Sequence, residues 1–182
     1  MHRKLNDLGR WQVRRFTMWT IFSVLPVCFL ITPNYSQETS VKFNRLSTEN
    51  GLSQSSVTCI FQDDEGFMWF GTYGGLNRFD GYNFTLNQFT PTNPYSISDN
   101  HVRSICQDTS GVLIVATVNG LNRYFPETRQ FVNFFHDPDD PATLAHNTIY
   151  KVLKDKDGDI WLGTWGGGLD KMERIPGKYD DM

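Results

Sequence analysis

One pattern is written three times between Leu52 and Lys171, and it constrains the fold more than any other feature of the chain. The first copy runs Leu52-SQSS-Val57-TC-Ile60-FQ-Asp63-DE-Gly66-FM-Trp69-F-Gly71-Thr72, then Gly75-Leu76-Asn77-Arg78. The second has Ile97, Val102, Ile105, Asp108, Gly111, Ile114, Ala116 and Thr117 at the matching places, then Gly120-Leu121-Asn122-Arg123. The third has Leu144, Ile149, Val152, Asp155, Gly158, Trp161, Gly163 and Thr164, then Gly168-Leu169-Asp170-Lys171 with one extra glycine. The copies begin 45 and 47 residues apart, and eleven residues beyond Arg78, Arg123 and Lys171 the chain reaches Phe89, Phe134 and Met182, all apolar. A self-similar period of this length identifies a repeat architecture in which each unit needs its neighbours.

Within a copy the strand signals are short. Residues 57–62 and 67–72 are β-branched and aromatic runs joined by Asp63-Asp64-Glu65-Gly66, a turn in which Asp caps its own backbone and Gly takes positive φ. The Gly74-Gly75 pair and Asp80-Gly81 turn the chain twice more. Each copy therefore reads as a four-stranded antiparallel meander, and no segment beyond the apolar N-terminal run has sustained helical period. Such a sheet has apolar residues on both faces and cannot bury them alone, so the expected fold is all-β, built of β-propeller blades. Trp69, Ile114 and Trp161 are the expected side chains between blades. The pairs Asp63/Gly66, Asp108/Gly111 and Asp155/Gly158 are the expected hairpin turns.

The expected divisions are an N-terminal segment 1–36, a lead-in 37–51, and blades at 52–96, 97–143 and 144–182. Three blades fall short of the about 4 to 8 that close a ring. Val41 to Leu46 reads as a strand with no partner in its own copy, of the kind that completes a last blade. The ring is expected to be incomplete, the chain being the N-terminal part of something longer.

Residues 1–15 carry Arg3, Lys4, Arg10, Arg14 and Arg15 against Asp7 alone, and Phe16 to Ile31 is an uncharged run of sixteen interrupted by Pro26. A basic flank, an apolar run shorter than the about 20 residues of a bilayer span, and a polar stretch after it make an export signal with a helical core. Removal of the leader is favoured over a permanent anchor, and the location is expected to be the periplasmic side of the inner membrane. The whole chain has net charge −3, which leaves the residues after 15 at −7. With no cluster of Lys or Arg there, a nucleic-acid partner is excluded. Cys28 lies in the leader. Cys59 and Cys106 fall on the same face of neighbouring sheets, where they serve as small apolar fillers and not as a disulfide.

Several motifs fail as chemistry. Asp155-Lys-Asp157-Gly158-Asp159 lacks the Gly and Glu that a calcium loop needs at its sixth and twelfth positions, where Ile160 and Gly166 stand. The glycines at 71–75 and 163–168 have no following Lys-Ser/Thr and open no helix, so they are turn residues and not a phosphate cradle. His2, His101, His136 and His146 lack ligand spacing; His101 and His146, which precede Val102 and Ile149, read as loop-ordering residues. No catalytic set, metal site or cofactor is expected. In the second-to-third strand turns Tyr73, Asn119 and Trp165 are the candidate ligand residues, because an aromatic there can stack on a sugar face.

The motif Asp-x-x-Gly-x-x-Trp-x-Gly-Thr followed by Gly-Leu-Asn-Arg, as in Asp63 to Arg78, resembles the two-component regulator propeller repeat. Phe43 to Val57 is similar to the opening of the first blade in hybrid two-component sensors. The resemblance covers about residues 41 to 182 and implies an exported propeller that senses a small ligand, often an oligosaccharide, and acts, commonly as a dimer, with a membrane helix and a histidine kinase. None of those later parts lies in this sequence, so the resemblance transfers no kinase activity. A stand-alone propeller binding or scaffold protein, or a propeller enzyme such as a lyase, are the alternatives the repeats leave open.

Overall fold

The computed structural model describes residues 40–173. The expected leader, with its helix and cleavage point, lies outside the described residues. Contacts divide the chain between Phe43 and Asn44, and all the sheets belong to the second unit.

Eleven strands form three antiparallel sheets. The first contains β1 (Val57–Gln62), β2 (Met68–Thr72), β3 (Gly75–Phe79) and β4 (Phe84–Asn87) in sequential order. The second repeats it with β5 (Val102–Gln107), β6 (Leu113–Thr117), β7 (Gly120–Phe125) and β8 (Gln130–Phe134). The third contains β9 (Ile149–Lys154), β10 (Ile160–Thr164) and β11 (Gly168–Met172); the fourth strand expected for it lies outside the described residues. The only helical element among the described residues is a 3-10 turn, Thr48–Asn50, capped by the Ser47 side chain. Val41 to Leu46 enters no ladder with the described strands, and Val41 and Phe43 are exposed.

The turn chemistry recurs atom for atom. Asp63 Oδ1 accepts the Phe67 N–H at 2.8 Å, Asp108 Oδ1 that of Val112 at 3.1 Å, and Asp155 Oδ1 that of Asp159 at 3.0 Å. In each turn the backbone N–H of Gly66, Gly111 or Gly158 donates to the carbonyl of that Asp. These glycines have φ of 90, 88 and 91°, a conformation that side chains with a Cβ resist.

Two apolar layers hold the sheets together. Trp69 and Leu76 of the first sheet, with Cys59 and Phe61, meet Val102, Ile105, Leu113, Val115, Tyr124 and Phe131 of the second. The other face of the second sheet, including Cys106, Ile114, Ala116 and Leu121, meets Ile149, Val152, Ile160 and Leu162 of the third. Trp69 is 1% exposed and stands edge-on to Tyr124 with ring centroids 5.2 Å apart. Ile114 is fully buried, whereas Trp161 is half-buried on a face that no described sheet covers. Cys59 and Cys106 are free thiols in different layers, with the second sheet between them.

A buried asparagine joins each of the first two blades to the loop that leads into it. Asn77 Oδ1 accepts the Ser53 N–H and Asn122 Oδ1 that of Ser98. Asp170 Oδ2 takes the matching bond from Ala145 in the third copy, so its acid substitution keeps the acceptor. A buried amide without such a partner would be costly.

Candidate ligand-binding strip

The first strands of the three sheets, β1, β5 and β9, are neighbours in space, and each is interrupted at one residue. The β1–β2 ladder skips between Val57 and Cys59, the β5–β6 ladder between Val102 and Ser104, and the β9–β10 ladder between Lys151 and Ile149. The skipped residues are Thr58, Arg103 and Tyr150, at one position of the repeat. A bulge leaves one residue outside the ladder and re-aims its side chain. Here the re-aimed groups reach the next blade: Thr58 Oγ1 donates to the Val102 carbonyl, and the Arg103 guanidinium lies 5.1 Å from the centre of the Tyr150 ring.

The turns between second and third strands close over the same end. Tyr73, half exposed, stands edge-on to the His101 ring with centroids 4.2 Å apart. Trp165, also largely exposed, lies 5.4 Å from Tyr150. The result is a continuous strip, Tyr73–His101–Arg103–Tyr150–Trp165, contributed by all three blades.

Two polar atoms in the strip, His101 Nε2 and Arg103 Nε, are buried and have no hydrogen-bond partner. Burial holds the His101 pKa below the ordinary imidazole value, the Arg103 charge lowers it further, and Asp99 opposes both. The carboxylate of Asp99 accepts the His101 backbone N–H at 2.7 Å. His146 orders its loop as expected, its Nδ1 accepting the Thr148 N–H at 2.9 Å; the His101 ring instead faces Tyr73.

Of the candidate ligand residues, Tyr73 and Trp165 occupy one position of the repeat. Its second-blade member is Val118 and not Asn119: the Val118 and Trp165 N–H groups donate to the carbonyls of His101 and Thr148, respectively. Asn119 is exposed one residue further along the turn, where its N–H donates to Thr117 Oγ1. His101, Arg103 and Tyr150 do not emerge from motif reading. Arg103 and Tyr150 share with Thr58 the position six residues into each copy, where Thr, Arg and Tyr replace one another with no apolar requirement, whereas His101 stands two residues earlier, in the place of Ser56 and Thr148. Among the described residues no group of three or more His, Cys, Asp or Glu side chains converges to hold a metal.

Stacked four-stranded meanders with an Asp/Gly turn and a bulged first strand define a β-propeller repeat protein. More particularly, two stretches of the chain, residues 51–74 and 143–166, match the family model described as two component regulator propeller. The chain is 43% identical over 78 residues to Histidine kinase P4 of Formosa agariphila, covering 43% of this chain and 6% of that protein. It is 31% identical to the extracellular domain of a protein of B. thetaiotaomicron assigned as a hybrid two component system, with TM-score 0.63, covering 70% of this chain and 19% of the solved one. The chain thus spans a small part of the length of both.

Proposed function

We propose that this chain belongs to the extracytoplasmic sensor region of a hybrid two-component receptor. In this reading the propeller binds a small ligand, an oligosaccharide, and the signal passes to a kinase encoded elsewhere in the receptor. The observation that carries the reading is the 31% identity, at TM-score 0.63, to an extracellular domain of a protein so assigned. The basic and apolar N-terminal pattern supports export, and the two component regulator propeller match supports signalling.

The ligand site in this reading is the strip at the open end of the first strands, with Tyr73 and Trp165 as stacking surfaces and Asn119 beside them. An exposed ring next to polar groups suits a sugar, which offers an apolar ring face and a rim of hydroxyls. The test is a titration of the full chain with a panel of oligosaccharides, followed by tryptophan fluorescence and calorimetry. Tyr73→Ala and Trp165→Ala should each weaken a binding member up to about tenfold, the worth of one aromatic contact. Unchanged affinity in both variants would remove the strip as the site.

A further inference from the structure

We propose that the ligand group bound at the centre of the strip is an anion, a carboxylate or sulfate carried on a sugar ring; this rests on the reading of the strip as the ligand site. Arg103 has no ion-pair partner among the described residues, whereas Arg123, buried in the same sheet, has Asp108 at 3.7 Å. A guanidinium without a carboxylate, beside its own strand's bulge and against an aromatic ring, is placed for a planar or tetrahedral oxyanion, which it binds through two parallel N–H bonds. Its Nε and the His101 Nε2 are the two orphaned atoms of the strip, and buried polar atoms of this kind ordinarily have partners. An oxyanion would reach the half-buried Arg103 at its terminal guanidinium N–H groups, which are not among the covered atoms.

The local field agrees. Of the two charges that act on His101, Arg103 outweighs Asp99, and the five side chains of the strip include no acid. The remainder of the protein is acidic, at −7 beyond residue 15. An unpaired cation at one end of an acidic body therefore selects where an anionic ligand docks. Tyr73 on one side and Trp165 on the other supply ring faces at the two ends of the strip, which sets the class as an acidic saccharide.

The experiment uses the full chain and three matched pairs: digalacturonate and its dimethyl ester, a glucuronate-containing disaccharide and its methyl ester, and a sulfated disaccharide and its desulfated form. Affinities are measured by calorimetry at physiological salt. At least one acidic member should bind about tenfold or more tightly than its neutral partner, the scale of a charge-assisted bidentate contact. Arg103→Gln should abolish that ratio and Arg103→Lys should keep part of it. Lys156→Gln, at an exposed charge paired with Asp157 outside the strip, should leave the ratio as it is. Equal affinity within all three pairs, or a ratio that survives Arg103→Gln in a folded variant, overturns the inference. Neutral members whose binding depends on Tyr73 and Trp165 would then leave the sensor reading standing, whereas no binding by any member would sink both.

Discussion

Asp108 Oδ2 lies 3.7 Å from the Arg123 guanidinium, in the place where the matching carboxylates of Asp63 and Asp155 accept the indole N–H of Trp69 and Trp161. The second blade has Ile114 instead of tryptophan and would otherwise leave that oxygen bare. In the first blade the matching Arg78 is released to stack on Phe67, 3.5 Å from the ring centre. In the third, Lys171 pairs with Asp159 at 2.6 Å. The repeat thus tolerates loss of its tryptophan because one basic position can serve either a ring or the turn acid.

Asp108→Asn keeps the Oδ1 caps of the turn but leaves Arg123, 6% exposed, without its counter-charge. Breaking a buried pair from one side costs about 3 kcal/mol or more. Urea unfolding should show that loss, and Arg123→Met in the same background should recover much of it. A cost below about 0.5 kcal/mol would place the pair among surface ion pairs, which contribute little.

The first blade offers the complementary measurement. Trp69 Nε1 donates to Asp63 Oδ2 at 2.7 Å, a hydrogen bond to a charged group beneath a buried ring. A double-mutant cycle with Trp69→Phe and Asp63→Ala should give a coupling of about 1.5 to 3 kcal/mol. The same cycle at Trp161 and Asp155 should give a smaller coupling, since water reaches both partners there. Indole also holds the Asp155 carboxyl below the ordinary carboxylate value, as the first of several hydrogen bonds that do so. Trp161→Phe should therefore raise the Asp155 titration midpoint in carbon-detected NMR.

The periodic part of this architecture was legible because its signals are local. Asp-x-x-Gly fixes a turn through one side chain and one φ, and alternating apolar residues fix the two buried faces, so strands β1 to β11 follow from residue types. What residue types do not carry is the bulge. Thr58, Arg103 and Tyr150 leave the ladder through backbone geometry that no propensity marks. Asn119 is a different case: Tyr73, Val118 and Trp165 each follow the threonine shared by the copies, Thr72, Thr117 and Thr164, so the register of Val118 is already countable in the sequence, and the hydrogen bonds of Val118 and Trp165 agree with it. The candidate strip draws on all three copies at their points of departure from the repeat, which is where a search for sameness has least to offer.

Gly71 marks close approach between the first and second blades. A Cβ there would meet Cys59 Sγ and, at 2.7 Å, Val102 Cγ1. The second blade has Ala116 at this position, fully buried, and its cross-strand partner is the smaller Ser104 where Gly71 faces Cys59. Gly71→Ala should cost about 1 to 3 kcal/mol by overpacking. Adding Cys59→Ser should return part of that loss in thermal unfolding, whereas an unaltered midpoint in Gly71→Ala would show that the interface is looser than these distances require.

Burial pushes the Cys106 thiol pKa up from 9.0 to about 11, and the sulfur lies within the layer between the second and third blades. The folded chain holds the proton more tightly than the unfolded chain, so this thiol's contribution is complete below pH 9 and is lost as pH rises toward 11. The stability gap between the native chain and Cys106→Ala should be constant from neutral pH to about 9 and narrow above it. Alkylation of Cys106 at pH 8 should proceed only as fast as the layer opens, because the thiolate is the nucleophile. A gap that stays level across the alkaline range would mean that the thiol is solvated in the folded state and that the second and third blades part far more readily than their apolar contacts imply.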